Sequence, residues 1–81
     1  MTELTLYGKA GCHLCDDARQ VIEQVRARRP FALTEVDVSL DPVLHARYGE
    51  RIPVIVVDGV EAFELGVSAS ELERVVGTVT P

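Results

Sequence analysis

Two cysteines are the residues of this chain whose type and spacing most directly indicate chemistry. Cys12 and Cys15 are the only cysteines among the 81 residues, and both lie in the stretch GCHLCDD. A pair at this spacing can form a redox couple, half of a metal site or a structural disulfide. The structural disulfide is the least favoured, because the small loop that it closes would constrain little entropy of the unfolded chain.

The place of the pair along the chain favours the redox couple. Residues 3–8, ELTLYG, alternate apolar and polar side chains and end at a glycine, which predicts a strand. A helix is predicted over residues 13–28, ending before Pro30, from the helical spacing of Leu14, Ala18, Val21, Ile22 and Val25. The cysteines therefore lie where a strand passes into a helix, and the unpaired N–H groups at a helix start stabilise a thiolate.

The two thiols are expected to have different roles. Cys12 lies at the predicted helix start and is the expected nucleophile, which attacks a substrate disulfide and forms a mixed disulfide. Cys15 lies one turn further into the helix and is expected to be less exposed. It would resolve the intermediate by attacking Cys12 and releasing the reduced substrate.

Charged residues beside the pair allow both functional and ordinary interpretations. Lys9 could favour the thiolate or hold an anionic thiol substrate, or it could be a solvated loop lysine. His13 could stabilise the thiolate when protonated or shuttle a proton when neutral, or it could be a solvent-facing spacer. Asp16 and Asp17 are expected to complement the helix dipole, although their charge opposes a nearby thiolate.

The middle of the chain predicts a second strand and a short helix. Residues 30–39, PFALTEVDVS, have a blurred alternation that an edge position or a bulge would explain. The short helix that follows has Asp41 as its expected N-cap and Pro42 at its first position. Gly49 is expected at the C′ position, just after the helix ends.

The last part of the chain predicts a hairpin and a final helix. Asp58 and Gly59 form a type I′ turn pair within residues 52–65, and Ser68 and Glu71 form an S-x-x-E capping box. The predicted order is thus β-α-β-α-β-β-α, an α/β arrangement with a parallel first pair of strands and an antiparallel hairpin. A single domain, residues 1–81, is expected. The cysteines would lie at the C-terminal edge of the parallel strand pair, where ligands commonly bind in α/β sheets.

Three features together match a known protein family. They are the spacing Tyr7-x-Lys9-x-x-Cys12-x-x-Cys15, the pair Ile52-Pro53 before the hairpin, and Gly66 before the last helix. With these features the chain resembles the glutaredoxins of the thioredoxin-fold superfamily, and more closely the small glutaredoxin-like proteins with a C-x-L-C motif. The resemblance covers essentially the whole chain and implies a thioredoxin fold, a four-stranded mixed sheet flanked by three helices.

The resemblance also implies a substrate site. Pro53, which by pattern alone is either a cis proline or an ordinary proline at a strand start, would be cis and packed beside the nucleophilic cysteine. The backbone of Ile52 would pair with bound glutathione or a substrate peptide. Lys9 and the start of the last helix, near Val67 and Ser68, would receive the carboxylates of the ligand.

The chain departs from the glutaredoxins at two places. Glutaredoxins usually carry Pro-Tyr between the cysteines, where this chain has His13 and Leu14. Their Gly-Gly followed by an acidic pair before the last helix becomes ELGVSASE here, which keeps one glycine, Gly66. These departures bear on glutathione binding, whereas thiol–disulfide exchange needs only the two thiols.

The predicted function is that of a thiol–disulfide oxidoreductase, which reduces protein or low-molecular-weight disulfides in cell redox homeostasis. The expected partners are disulfide-containing proteins or small thiols, with glutathione or another thiol as reductant and no other cofactor. Two alternatives stay open, an iron–sulfur cluster shared by two chains and a thioredoxin-fold interaction module with inactive cysteines. A zinc site within one chain lacks ligands, since one CxxC supplies two and His13 and His45 are the only histidines.

Composition and charge narrow the class of partner and the location. The formal net charge of −5 disfavours a nucleic-acid partner. No apolar run approaches the roughly 20 residues that cross a bilayer, and the first residues, MTELTLYGKAG, lack the pattern of a secretory signal. A monomeric cytoplasmic protein is therefore expected, without a membrane or nucleic-acid partner.

Overall fold

Four strands form one mixed sheet in the computed structural model, which describes residues 2–78. The strands are β1 (Glu3–Gly8), β2 (Ala32–Asp37), β3 (Val54–Val57) and β4 (Val60–Glu64). Their order across the sheet is β2-β1-β3-β4. β1 runs parallel to β2 and antiparallel to β3, and β3 pairs antiparallel with β4. The predicted mixed sheet is therefore confirmed.

Within the same residues, three α-helices pack on the sheet: α1 (His13–Arg28), α2 (Pro42–Tyr48) and α3 (Ala69–Thr78). The main core joins α1 and α3 to β1 and β3, through Leu4, Leu6, Ala18, Ile22, Val25, Ile55, Val57, Leu72 and Val76. A second, smaller cluster contains Tyr48 of α2 and Val54 of β3. Val54 and Ile55 are adjacent in β3, so their side chains point to opposite faces of the sheet. No helix in residues 2–78 is both long enough and apolar enough to span a bilayer.

Helix α1 has the predicted bounds but a different buried face at its start. Cys12 is its N-cap, and the helix ends before Pro30 as predicted. The prediction that Leu14 belongs to the buried face is wrong, because its side chain is 50% exposed. Cys15 is buried instead, so the thiol occupies the first inward position of the helix.

The second strand is shorter than predicted. β2 covers Ala32–Asp37 rather than residues 30–39, and a 3-10 helix (Val38–Leu40), which was not predicted, follows it. The Asp37 carboxylate ends the strand, because it accepts hydrogen bonds from the backbone N–H (2.9 Å) and the hydroxyl (2.6 Å) of Ser39. β2 lies at an edge of the sheet, which explains its blurred alternation.

Helix α2 begins as predicted and ends differently. The Asp41 carboxylate accepts a hydrogen bond from the Val43 N–H (2.9 Å), and Pro42 lies in the first turn. Gly49 is not left-handed, as a C′ glycine commonly is, but right-handed helical, with φ −54° and ψ −31°. A Cβ at Gly49 would lie 2.5 Å from the carbonyl oxygen of His45. Glycine is therefore required here for close packing rather than for a positive φ.

The hairpin turn between β3 and β4 is confirmed. Asp58 and Gly59 have φ of 50° and 84°, the two positive values that a type I′ turn requires. The Asp58 carboxylate also accepts a hydrogen bond from the backbone N–H of Glu3 (2.9 Å), which ties the turn to the start of β1. The β3–β4 register shifts between Ile55 and Val56, so this edge of the sheet carries a bulge.

Candidate functional site

The Cys12 side chain caps the N-terminus of α1. Its backbone is extended, and its Sγ accepts a hydrogen bond from the Cys15 N–H at 3.2 Å. The side chain is half-buried, so the sulfur remains accessible. An amide donor and the positive end of the helix dipole therefore both face this sulfur.

Cys15 lies in quite different surroundings. It is a free thiol like Cys12, but it is fully buried. Burial raises the pKa of the Cys15 thiol to about 11, and a hydrogen bond with Cys12 acts in the same direction. The backbone N–H of Lys9 and the charge of Arg19 lower this pKa, but less strongly. Cys15 is thus held as a neutral thiol at neutral pH.

The buried thiol rests directly on strand β1. A Cβ built at Gly8 would lie 3.0 Å from the Cys15 Sγ and 3.2 Å from its Cβ. Such a distance is too short for ordinary van der Waals contact, so a larger residue would displace Cys15 or the strand. Gly8 therefore provides the space that Cys15 occupies.

A small apolar cluster supports both cysteines. Cys15 belongs to it together with Val38, Tyr48, Ile52 and Val54, and Cys12 and Tyr7 pack against it. The rings of Tyr7 and Tyr48 stack with their centroids 4.5 Å apart. The guanidinium carbons of Arg47 and Arg51 each lie 5.3 Å from the Tyr48 ring centroid. The cysteine pair thus lies on tightly packed aromatic and aliphatic side chains.

The Ile52-Pro53 peptide bond is cis, as the resemblance implied. Both residues are buried, and Ile52 is in the cluster that contains Cys15. The Pro53 carbonyl accepts a hydrogen bond of 2.9 Å from the Leu65 N–H, which also donates to the Arg51 carbonyl at 3.2 Å. The segment that leads into α3 is therefore fixed beside the cis-proline loop.

The start of α3 is occupied by the chain itself. The Glu71 carboxylate accepts hydrogen bonds from the Ser68 N–H at 3.1 Å and from the Ser68 hydroxyl at 2.9 Å. The Glu71 N–H donates to the Ser68 hydroxyl oxygen at 3.2 Å. The capping box predicted from the sequence is confirmed, and half-buried Val67 packs against the main core. The donors of Ser68 are therefore already bound to a carboxylate.

Lys9 is exposed and lines a groove of about 380 Å³ at the ends of β1 and β2. Asp37 lines the same groove, and its strand partner in the β1–β2 register is Gly8. The hydroxyl and backbone N–H of Ser39 lower the pKa of Asp37, and the positive charge of Lys9 adds to this effect. The Lys9 ammonium therefore has an ionised carboxylate in its neighbourhood.

The remaining charged residues at the start of α1 lie at the surface. His13 is the first helical residue and is exposed, as is Asp17. Asp16 forms an ion pair of 2.8 Å with Arg19, which is also paired with Glu35 of β2. Both carboxylates raise the pKa of Arg19, Glu35 most strongly. Arg19 is thus fixed one turn after Cys15.

The sequence did not indicate three residues of this site. Arg19 could have been found, because a cation four residues after a helical cysteine lies on the same side of the helix. In the sequence, Gly8 indicated only the end of a strand. Tyr48 lies far from Tyr7 along the chain, so no local pattern predicts that their rings stack.

No three His, Cys, Asp or Glu side chains within residues 2–78 are grouped as a metal site would require. His45, the second histidine of the chain, is exposed on α2. The cysteine pair therefore has no third side-chain ligand beside it in this part of the chain.

Comparison with known proteins gives one family match and several distant relatives. A family model described as a glutaredoxin-like domain (DUF836) matches residues 3–77. Uncharacterized proteins of Mycobacterium bovis and Mycobacterium tuberculosis are 28% identical over 64 residues, which is 73% of this chain. The match spans 66% of the length of these relatives, slightly less than two thirds.

Solved structures of the same architecture exist. The X-ray structure of protein XcR50 from X. campestris is 30% identical, with a TM-score of 0.80 over 95% of this chain and 99% of that one. Protein Ne2328 from Nitrosomonas europaea is 21% identical, with a TM-score of 0.78 over 91% and 89% of the two chains. Chloroplastic thioredoxin z is 18% identical, with a TM-score of 0.76 over 96% and 77%. The last two likenesses concern the fold alone, which is the thioredoxin fold.

Proposed function

The chain belongs to the glutaredoxin-like domain family, and from this premise we propose that it is a thiol–disulfide oxidoreductase that reduces protein or small-molecule disulfides. One observation carries the proposal. The Cys12 sulfur caps a helix and accepts an amide hydrogen bond, while buried Cys15 lies behind it as a neutral thiol. This asymmetry is what a two-step exchange between an attacking and a resolving thiol requires.

In the first step the Cys12 thiolate, having lost its proton to solvent, attacks one sulfur of a substrate R–S–S–R′. A bond forms between Cys12 and that sulfur, the substrate S–S bond breaks, and R′–S⁻ leaves and takes up a proton. Because Cys15 is held as a thiol by burial, it does not compete as a nucleophile at this stage.

In the second step Cys15 loses its proton and attacks the Cys12 sulfur of the mixed disulfide. The Cys12–Cys15 disulfide forms and R–S⁻ leaves, so the substrate has gained two electrons and the protein has lost two. Formation of the mixed disulfide removes the negative charge of Cys12, one of the causes that raise the pKa of Cys15. The resolving thiol is therefore easier to deprotonate once it is needed.

The proposed contacts with substrate follow the cis-proline loop. The backbone of Ile52 would pair with an extended substrate segment, beside Pro53, while Lys9, Val67 and Ser68 would border the same segment. A small thiol, such as glutathione, or a dithiol reductant would return the oxidised pair to two thiols. The activity suits a reducing compartment such as the cytoplasm.

The experiment is the reduction of hydroxyethyl disulfide and of insulin with dithiothreitol as reductant. Cys12→Ser should abolish the catalysed rate, whereas Cys15→Ser, mixed with the disulfide in the absence of dithiothreitol, should accumulate a mixed disulfide that mass spectrometry identifies on Cys12. The opposite assignment, with Cys15→Ser inert and Cys12→Ser trapping the substrate, would overturn the proposed roles. Failure of the wild-type protein to reduce either disulfide would favour an interaction module, and visible absorbance after anaerobic purification would favour a shared iron–sulfur cluster.

A further inference from the structure

We propose that Arg19 is a positioning residue for the second step of the exchange, in which its positive charge favours the thiolate of Cys15. The proposal rests on the proposed function, because it concerns the same pair of thiols. In that step Cys15 gives its proton to water, its sulfur forms a bond to the Cys12 sulfur, and R–S⁻ leaves. A cation near Cys15 favours the first of these events, the loss of the proton.

Arg19 lies on the same side of α1 as the buried thiol. It follows Cys15 by four residues, and side chains at this spacing are neighbours on a helix surface. Arg19 is half-buried and is bound from two sides, by Asp16 of the same helix at 2.8 Å and by Glu35 of β2. Its guanidinium is therefore held between the helix and the edge strand.

The β1–β2 register brings this ion pair close to the strand on which Cys15 rests. Glu35 lies opposite Leu6 in the register, and Asp37 lies opposite Gly8. Paired residues of neighbouring strands share a face of the sheet, and Leu6 belongs to the main core beneath α1. Glu35 therefore lies on the face of the sheet that α1 covers, where Arg19 meets it.

One groove of about 380 Å³ connects the ion pair with the surroundings of the thiol. Its lining includes Arg19, Glu35 and Gly8. A Cβ built at Gly8 would lie 3.0 Å from the Cys15 sulfur. Gly8 thus borders the charged groove and also contacts the buried thiol, which places the charge of Arg19 near that sulfur.

Several ionisable groups on the surrounding elements act on Cys15 together with Arg19. Burial is the main cause that raises the pKa of Cys15, and the hydrogen bond and the charge of Cys12 act in the same direction. The backbone N–H of Lys9 and the charge of Arg19 lower this pKa. Once Cys12 is bonded to substrate its charge is lost, whereas the charge of Arg19 remains. The other groups on these elements are His13, Asp16 and Asp17 of α1, Tyr7 of β1, Glu35 and Asp37 of β2, and Tyr48 with Arg47 and Arg51 at its ring.

The test observes the second step directly with 4,4′-dithiodipyridine, a neutral disulfide that releases one ultraviolet-absorbing thiopyridone in each step. Stopped-flow absorbance should show a first phase whose rate rises with probe concentration, the attack by Cys12. A second phase, independent of probe concentration, is the closure of the Cys12–Cys15 disulfide. Cys15→Ser, which cannot close the disulfide, should show the first phase alone. The rate of the second phase is then measured from pH 6 to pH 10.

Arg19→Gln removes the charge and should slow the second phase at pH 7 by about twofold to threefold, as expected for a partly exposed charge. The deficit should shrink as the pH rises, because both proteins then form the thiolate. Arg19→Lys keeps the charge and should recover most of the rate. Arg28→Gln is the matched control, because it removes the same charge from the last turn of α1, where Arg28 is paired with Glu73 at 2.9 Å. It should leave the second phase unchanged.

Glu35→Gln separates the effect of charge from that of structure, because it breaks the same ion pair from the other side. It leaves the charge of Arg19 less compensated, so the second phase should become faster. A bridge that only holds β2 against α1 would instead be lost in both variants, and both would slow the second phase.

The outcomes distinguish the role of Arg19 from the proposed function. A second phase that Arg19→Gln leaves unchanged, or slows equally at every pH, would overturn the role of Arg19, although the reductase function would stand. Slowing by both Arg19→Gln and Glu35→Gln would overturn it as well. The absence of a second phase in the wild-type protein would defeat the proposed function itself, and the role of Arg19 with it.

Discussion

Cys12 and Cys15 share one turn of helix but differ in solvent access and in the groups that contact them. The sulfur of Cys12 accepts an amide hydrogen bond at the helix start, and the sulfur of Cys15 is buried against Gly8. At the scale of single residues, the division of labour therefore follows from position in the helix. The N-cap is half open to solvent, whereas three residues later the side chain points into the core.

The raised pKa of Cys15 predicts a loss of stability of the reduced protein at alkaline pH. A thiol whose pKa rises from 9.0 to about 11 on folding stabilises the folded state fully below the lower value, and this contribution is lost as the pH rises toward the higher one. The free energy of unfolding of the reduced protein should fall by about 2–3 kcal/mol between these values. Urea titrations at pH 8 and pH 11 measure it, with Cys15→Ala, which should lack this part of the decline, as the reference. Equal declines in the two proteins would contradict the assignment.

Gly8→Ala should disturb the resolving thiol. The new Cβ would lie 3.0 Å from the Cys15 sulfur, so we expect a loss of about 1–3 kcal/mol in unfolding free energy, as for other overpacked cores. In Cys15→Ala the sulfur is absent, and the same glycine substitution should then cost clearly less. A double-mutant cycle measured by urea unfolding tests this coupling, and additive costs would contradict it.

At the scale of elements, each helix start is closed by a side chain of its own. Cys12 caps α1, Asp41 caps α2 and the Ser68–Glu71 box closes α3. The caps of α2 and α3 are side-chain oxygens, whereas the cap of α1 is the sulfur that we propose as the nucleophile. A reactive thiolate and a helix cap require the same property, a negatively polarised atom facing unpaired N–H groups.

The cap of the short helix α2 gives a prediction at this scale. Asp41→Ala removes the acceptor of the Val43 N–H. Because α2 has only seven residues, this hydrogen bond is a large share of those that stabilise the helix. The unfolding free energy should fall by about 1 kcal/mol, whereas Asp41→Ser, which can still cap, should lose clearly less. Thermal or urea unfolding of the two variants measures the difference. Equal losses would mean that the cap contributes nothing specific.

At the scale of the whole molecule, the excess of acidic residues acts on any charged substrate. A formal net charge of −5 on 81 residues repels anions and attracts cations from beyond contact distance. Because this attraction and repulsion act over a distance, dissolved salt screens them.

Salt should therefore weaken the selection among charged disulfides. The Debye length falls from about 10 Å at 0.1 M to about 3 Å at 1 M ionic strength. The ratio of the reduction rate of dithiodiglycolate, a dianion, to that of neutral hydroxyethyl disulfide should rise with salt. The corresponding ratio for cystamine, a dication, should fall. Steady-state rates at the two ionic strengths measure this. Ratios independent of salt would show that long-range charge has no influence on substrate choice.

Local patterns in the sequence predicted the elements because each depends on neighbouring residues. The bounds of β1 and α1, the turn at Asp58 and Gly59, and the capping box of Ser68 and Glu71 follow from periodicity, backbone preference or short-range hydrogen bonds. Two predictions were wrong because a side-chain interaction overrode the local pattern. The Asp37 carboxylate accepts a hydrogen bond from Ser39, and β2 ends at Asp37 instead of residue 39. Cys15, and not Leu14, is the first buried residue of α1.

The sequence by itself determined the element order, the place of the CxxC pair at a strand-to-helix junction and the expectation of unequal thiols. Only the tertiary structure decided what surrounds those thiols: Gly8 beneath Cys15, Tyr48 stacked on Tyr7, and Asp37 in the groove of Lys9. The physical reason is distance along the chain. A helix cap depends on residues within about four positions of one another along the chain. The burial and the charges that set the reactivity of a thiol come from strands and helices that meet only in the folded protein.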